Sequence, residues 1–353
     1  MRQDATRRVT LQDIARQTGY SVNTVSHALR NKDDIAPRTR EAIQNVAREM
    51  GYAPNQIASS LRSGRTQVFA VILGNMSNPF YGIMTDVIQD AARQAGYTLM
   101  IMCSRDDAAQ EYQLVEQAIA RRVDGILLYP TAHSQPTIAR LRDAGMPFVL
   151  MSRYLTEGEA DSVVCDEAQG AYLATRHLIE HGLRRLAYVS GSTVVFSSEQ
   201  RIRGFQRACD EAGIPEGDRR VCVMSGLPAA PQGLSEDSLI PADQLLALKR
   251  DGFNGLFIFC DVQAWHALNT MQNDPGVGPR DFSIVSFDNI EGALSFPVPL
   301  CSVDCDYAEM ARRGVELLIA RIDGDDRPPR TVVCPVRLVC RGSCKAAAQN
   351  EQR

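Results

Sequence analysis

Apolar and polar positions divide the chain into two regimes. Over residues 9–50 the apolar or small positions recur at helical spacing: Leu11, Ile14 and Ala15, then Val25, Ala28 and Leu29, then Thr39, Ile43, Val46, Ala47 and Met50. Thr10 stands where the first helix needs a side-chain cap, Gly19 where the chain must turn, and Ser21 where a second helix begins. The pattern predicts helix, tight turn, helix, then a third helix over 37–50 closed by Gly51. From Thr66 onward short apolar runs alternate with amphipathic stretches. Strands are expected over 68–73, 98–103, 125–129 and 148–151, with helices over 81–95 and 109–121 between them. The rhythm resumes with a helix over 168–181, a strand over 186–190, a helix over 199–213, and strands over 221–224, 255–259 and 283–287. Such alternation predicts parallel sheets covered by helices on both faces, and the count fits two successive doubly wound units of about a hundred residues each.

The second helix leaves Val22, Asn23, Ser26 and His27 as its outward set, short or hydrogen-bonding side chains on its first turns. A helix of this kind suits the major groove of double-stranded DNA. Val22 offers apolar contact, for instance to a thymine methyl, Asn23 can bind adenine in two places, and His27 can donate to guanine. After Gly51 comes Tyr52-Ala53-Pro54-Asn55-Gln56-Ile57-Ala58-Ser59-Ser60-Leu61-Arg62-Ser63-Gly64-Arg65, a short helical segment between a proline and a glycine.

Together with residues 9–29, this stretch resembles the lactose-repressor (LacI/GalR) family of bacterial transcription regulators. The resemblance extends through Asn78-Pro79-Phe80-Tyr81, Arg122-Val123-Asp124-Gly125-Ile126, Glu199-Gln200-Arg201-Ile202-Arg203-Gly204-Phe205, Ser286-Phe287-Asp288-Asn289 and Arg341-Gly342-Ser343. It implies an all-α helix-turn-helix headpiece at 7–53 and a hinge helix with linker at 54–65. The body at 66–344 is then α/β, of periplasmic-binding-protein-like lobes: an N-lobe of about 66–165 and 304–330, and a C-lobe of about 166–303 and 331–344. Three crossovers are expected, near Cys165-Asp166, Asp304 and Thr331. By the same resemblance, the hinge helix is expected to order on operator DNA and push Leu61, with Arg62 beside it, into the minor groove at the centre of a palindrome. Phosphate contacts are expected from backbone amides and from Thr10, Ser21, Thr24, Asn31, Tyr52 and Asn55. The tail after Cys344 is short, polar and without leucine heptads, so a homodimer is expected.

Charge sharpens this division. Residues 1–65 hold 11 Lys and Arg against 6 Asp and Glu, net +5, which against −4 overall leaves −9 for the remainder. A basic end on an acidic body is the footprint of nucleic-acid binding with a separate second task. Met1 leads into charged residues, with no apolar signal segment and no membrane-length apolar run, so a cytoplasmic protein is expected. The 10 cysteines include no Cys-x-x-Cys pair and read as small buried hydrophobes. His177-Leu178-Ile179-Glu180-His181 fits an inverted zinc-peptidase spacing, but Gly182 ends that helix at once, and it reads as structural. No nucleophile elbow, Walker loop or dinucleotide fingerprint is present. Neither an enzyme nor a cofactor or metal requirement is expected.

In open α/β sheets a ligand sits beyond the carboxyl ends of the strands. Here those ends carry Asn78, Phe80, Ser152, Arg153, Asp261 and Asp288, a set of amides, hydroxyls, charges and one ring suited to a small polar effector, most readily a sugar. By resemblance, Arg201 and Asp288 grip the effector and Phe80 stacks on it. Where many relatives have Asn-Asp after the strand, this chain has Cys260-Asp261, replacing an amide by a thiol. Trp265, the sole tryptophan, lies near the same side. The loop over 225–241, rich in proline and poor in apolar residues, has no assigned role. The expected function is a ligand-responsive regulator, a repressor of carbohydrate-utilisation genes. The alternative is a sugar-binding protein without a DNA-regulatory role.

Overall fold

The computed structural model describes residues 9–53, 64–154, 159–191, 196–223, 240–290, 292 and 298–344, which fall into two compact units, Met1–Thr66 and Gln67–Arg353. The hinge segment with Asn55, Leu61 and Arg62, and most of the 225–241 loop, lie outside the described residues.

In the first unit helices α1 (Leu11–Thr18), α2 (Val22–Leu29) and α3 (Pro37–Glu49) enclose Ile14, Val25, Ala28, Ile43 and Ala47. The caps fall where the pattern put them. Thr10 forms a reciprocal box with Asp13: the Asp13 N–H donates to Thr10 Oγ1 at 3.3 Å, and the Thr10 N–H donates to Asp13 Oδ2 at 3.0 Å. Gly19 closes α1 at φ 74°, a left-handed turn that glycine adopts without a Cβ clash, and the Ser21 hydroxyl accepts from the Thr24 N–H at 3.1 Å.

The second unit contains two six-stranded sheets. The first comprises β1 (Val68–Leu73), β2 (Thr98–Cys103), β3 (Gly125–Leu128), β4 (Phe148–Met151), β5 (Ser162–Cys165) and β11 (Thr331–Cys334), in the order β11-β5-β4-β3-β1-β2, all parallel. The second comprises β6 (Leu186–Ser190), β7 (Arg219–Val223), β8 (Gly255–Ile258), β9 (Ser283–Phe287), β10 (Cys301–Cys305) and β12 (Val336–Val339). Its order is β12-β10-β9-β8-β6-β7, and only the β10–β12 pair is antiparallel. Residues 69–73 of β1 and all of β3, β6 and β9 are buried, as expected for strands covered on both faces. Among the helices are α4 (Pro79–Gln94), α5 (Ala108–Ala120), α6 (Gln135–Asp143), α7 (Glu167–Glu180), α8 (Phe196–Glu211), α9 (Ala242–Arg250), α10 (Asp261–Asn273) and α11 (Tyr307–Ile322). None of the described helices is long and apolar enough to cross a membrane.

The chain passes between the sheets at Asp166, Asp306 and Pro335. The two aspartates cap the helices that follow, accepting from the Gln169 N–H at 2.9 Å and the Glu309 N–H at 3.0 Å. The third crossover corrects the expectation of a change at Thr331. Residues 331–334 finish the first sheet, and Pro335, which has no N–H to continue a ladder, separates them from 336–339 on the second.

Helices α7 and α8 pack unusually close, because Gly204 has no side chain. A Cβ there would meet Ala168 O at 2.1 Å and Ala171 Cβ at 2.8 Å. Gly204→Ala is therefore expected to destabilise the body by at least about 1–3 kcal/mol in urea denaturation. Gly82→Ala on α4, where a Cβ meets nothing within 4 Å, should be neutral or stabilise by up to about 1 kcal/mol.

Candidate functional site

In the first unit, α2 presents Val22 and Asn23 to solvent at its first turn, beyond the Ser21 cap, with Thr24 half-buried behind them. The Ser21 and Thr24 hydroxyls share a hydrogen bond at 2.9 Å. Ser26 is not outward as expected: it is buried and held by the Arg30 guanidinium. His27 is half-buried, with Nδ1 2.6 Å from Asp34 Oδ2. A carboxylate only accepts, so the shared proton sits on Nδ1, and in the neutral ring Nε2 is left as an acceptor. In that neutral form Nε2 reads the amino group of adenine or cytosine, whereas in the charged form it donates, as expected for guanine. Thr10 and Asn31 are exposed but already committed, Thr10 to its cap and Asn31 Oδ1 to the Gln44 amide at 2.8 Å. Tyr52 packs against the three-helix core.

In the second unit, Asn78, Phe80, Ser152, Arg153, Arg201 and Asp288 line one cavity of about 100 Å³, together with Tyr81, Glu167, Cys260 and Tyr307. Both sheets contribute. Asn78 caps α4, accepting from the Phe80 N–H at 3.0 Å, while Ser152 and Arg153 follow β4. Arg201 projects from α8, and Asp288 follows β9 with φ 102°, in the left-handed half of backbone space.

Arg201 is buried, with its Cζ 3.6 Å from the Phe287 ring centroid and 4.5 Å from that of Phe259. Its Nε donates to Glu167 Oε2 at 2.7 Å, and one terminal nitrogen donates to the Phe259 carbonyl. The other lies 3.8 Å from Asp288 Oδ1, an ion pair too long for a hydrogen bond. Burial works against the guanidinium charge, but Glu167 and Asp288 outweigh it and raise the Arg201 pKa. Burial also lifts the Asp288 carboxyl well above the usual range, with Arg201 opposing. Glu167 is thus the direct counter-ion, and Asp288 the carboxyl free to exchange partners. In the same lining the Ser152 hydroxyl, held at φ 64°, is buried without a hydrogen-bond partner among the described residues, as is the Tyr129 hydroxyl, whose ring packs edge-on to Phe80 and Tyr81. Such groups are costly unless something else satisfies them.

Asp261 does not join this set. Its carboxylate accepts from the Ser302 hydroxyl at 2.7 Å, the Ile290 N–H at 2.8 Å and the Ser286 hydroxyl, behind the cavity wall, and burial pushes its pKa up to about 6. It holds the loop after β9 in place. Glu167, which the sequence reading did not single out, lines the cavity instead, from the first turn of α7. Trp265 is half-buried, edge-on to His266 at 4.9 Å, outside the cavity lining.

Residues 10–55 match the family profile described as bacterial regulatory proteins, lacI family. Residues 66–233 match that of periplasmic binding proteins and sugar binding domain of LacI family, and residues 175–344 that of a periplasmic binding protein-like domain. The chain is similar to the HTH-type transcriptional repressor PurR of Photobacterium profundum, at 26% identity over 95% of this chain and 98% of that protein. The PurR of Vibrio atlanticus is 28% identical over 95% and 98%. Among solved structures, a transcriptional regulator CelR–cellobiose complex is 26% identical over 95% of this chain and 100% of that one, with a TM-score of 0.66. A lac repressor dimer bound to operator and the anti-inducer ONPF shares the fold at 21% identity over 97% and 100%, with a TM-score of 0.76.

The buried Arg201–Glu167 pair makes a quantitative expectation. Glu167→Ala leaves a buried guanidinium without its direct partner and should cost about 3–5 kcal/mol in chemical denaturation, whereas adding Arg201→Met to it should recover much of that loss. Additive losses in the double variant would show that the two side chains do not act as a pair.

Proposed function

The chain belongs to the lacI family of bacterial regulatory proteins and is a ligand-responsive, DNA-binding transcription regulator; from that premise we propose which residues carry each task. The reading rests on one observation above all: a single chain carries a helix with an exposed first turn and a polar cavity lined by both lobes and by residues at two of the crossovers between them. The regulator acts as a repressor, a homodimer on a two-fold-symmetric operator, in the cytoplasm where that DNA lies. Residues 7–53 form the DNA-binding headpiece, 54–65 the hinge and 66–344 the effector-binding and dimerisation body. Its curated relatives are repressors, and we read the cavity as one that binds without turning over.

At the DNA, Val22 supplies apolar contact, Asn23 base readout in two hydrogen bonds, and His27, oriented by Asp34, an acceptor in its neutral form. Leu61 and Arg62 act at the minor groove, and Ser21, Thr24, Tyr52 and Asn55 position the backbone. In the cleft, the flat guanidinium of Arg201 and the Asp288 carboxyl take paired hydroxyls, Ser152 and Asn78 add single bonds, Phe80 offers its ring face, and Arg153 closes the rim. That chemistry suits a sugar-like effector, the class seen in the cellobiose complex of a relative. A cavity of about 100 Å³ is smaller than the roughly 300–1,000 Å³ of ordinary ligand sites, so a ring-sized effector has to part the lobes. Effector binding therefore selects between two lobe angles, and the operator-competent state is gained or lost by the difference in affinity between them.

For the DNA side, Asn23→Ala should cost about 1–3 kcal/mol at one base position in a binding-site selection and relax preference there. Replacing Asp34 by Ala should shift preference at the base facing His27, because the ring is then free to present a donor. Unchanged selection by both variants would reduce these residues to backbone contacts. For the cleft, a thermal-melt screen over hexoses, pentoses, disaccharides, sugar phosphates and purines should find a compound that stabilises the body by about 2.7 kcal/mol at a hundredfold excess over its Kd. Ser152→Ala should leave the unliganded melt in place, since this hydroxyl has no described partner, yet reduce that shift. An undiminished shift would remove Ser152 from the site.

A further inference from the structure

Away from the cleft, three cysteines and a histidine converge at one end of the second sheet. Cys301 opens β10, and its neighbour Ser302 pairs with Val339 of β12, which sets Cys340 beside Cys301 with their sulfurs 3.7 Å apart. The chain then turns through Gly342 at φ 92°, a conformation glycine allows, and returns Cys344 to the same place. Ser343 pins that turn: its hydroxyl accepts from the Cys301 N–H at 2.8 Å and donates to the Ile284 carbonyl at 2.6 Å. From the last turn of α7 His177 completes the group. Ligand atoms of His177, Cys301 and Cys344 all lie within 4.8 Å of one another. His177 Nε2 is buried without a regular hydrogen bond to oxygen or nitrogen among the described residues, and the His177 side chain interacts instead with the Cys301 thiol. The Arg341 N–H donates to Cys301 Sγ at 3.2 Å, the kind of second bond that orients a metal thiolate.

We propose that His177, Cys301 and Cys344 hold a zinc ion, and that the exposed Cys340, whose sulfur touches Cys301 but stands outside that cluster, turns in as the fourth ligand to give a site of the three-thiolate, one-imidazole type. Zinc–sulfur bonds of about 2.3 Å in a tetrahedron place sulfurs about 3.8 Å apart, close to the separation of Cys301 and Cys340. Cys301 and Cys344 are buried while Cys340 is exposed, so the ion has an entry side. Buried small hydrophobes need no imidazole turned toward them and no exposed third sulfur. His177 lies ten residues after Glu167 on α7, about 15 Å along the helix, so the site is separate from the effector cavity and does not rest on its reading. Its chemistry is a clamp. A bound ion joins the segment after β12 to β10 and α7, three pieces distant in sequence, with release of thiol protons on binding.

The test is a cobalt titration of the reduced, chelator-dialysed full-length protein, followed by zinc. The expected result is about one ion per chain, a thiolate-to-cobalt charge-transfer band with tetrahedral d–d bands, and bleaching by zinc. Cys340→Ser, at an exposed position, and Cys344→Ser and His177→Gln should each weaken binding at least about tenfold, whereas Cys222→Ser should not. Zinc should also protect Cys301, Cys340 and Cys344 of the unaltered protein from alkylation, as mapped by mass spectrometry, which does not depend on any variant folding. Absence of the charge-transfer band, its survival in Cys340→Ser and Cys344→Ser, or a Cys301–Cys340 disulfide forming in air despite equimolar zinc would each overturn the site.

Discussion

A guanidinium taken out of water has to be neutralised where it stands, and the second unit is arranged around that requirement. Arg201 is only 5% exposed, so its charge is tolerable only with a carboxylate in direct contact and its remaining N–H groups satisfied. Glu167 and the Phe259 carbonyl supply this, and the Phe287 and Phe259 rings cover the faces of the plane. These partners come from α7, the end of β8 and the end of β9, so the arginine fixes the spacing of a helix and two strand ends. Gly204, three residues on along α8, lets α8 approach α7 closely enough for the pair to form. The cavity is what remains on the open side of this cluster. Its free valences, the far Asp288 oxygen and the Ser152 hydroxyl, are those a ligand can use.

The readable part of this architecture was the part governed by local rules. Caps at Thr10 and Ser21, the turn at Gly19 and the alternation of strand and helix follow from spacing within a few residues, and they stand as expected. Arg201 and Asp288 were legible through resemblance, and the fold brings them together. Glu167 was not, because its role depends on a residue 34 positions away. Asp261 misled for the complementary reason. Its place at a strand end matches a ligand-facing position, but two serines and a backbone N–H from later strands and loops claim both its oxygens. The crossover expected at Thr331 by resemblance falls four residues later, where Pro335 separates two short strands that pair in different sheets.

The headpiece shows the same limit on a smaller scale. His27 belongs to the first turns of the readout helix by spacing alone, yet which ring nitrogen it turns outward is decided by Asp34, seven residues later in the following loop. Side-chain type restricts a base contact to a short menu. The neighbour that fixes the tautomer selects from it.

The cysteines carry this reasoning to its end. Read along the chain, only Cys340-x-x-x-Cys344 has a metal-site spacing, its partner Cys301 lies far off in sequence, and His177 pairs more naturally with His181, four residues on. In the fold, the His181 ring turns instead to the His177 carbonyl at 2.8 Å, which leaves the His177 imidazole to face the sulfurs. Antiparallel pairing of β10 with β12 then does what a short motif does elsewhere, bringing soft donors from separate segments to one point. A site assembled by sheet register shows at most part of its ligand set in sequence spacing, here Cys340 and Cys344. The whole set is visible only in the structure: a buried imidazole that meets a thiol in place of a regular hydrogen-bond partner, beside two sulfurs near the edge length of a zinc tetrahedron.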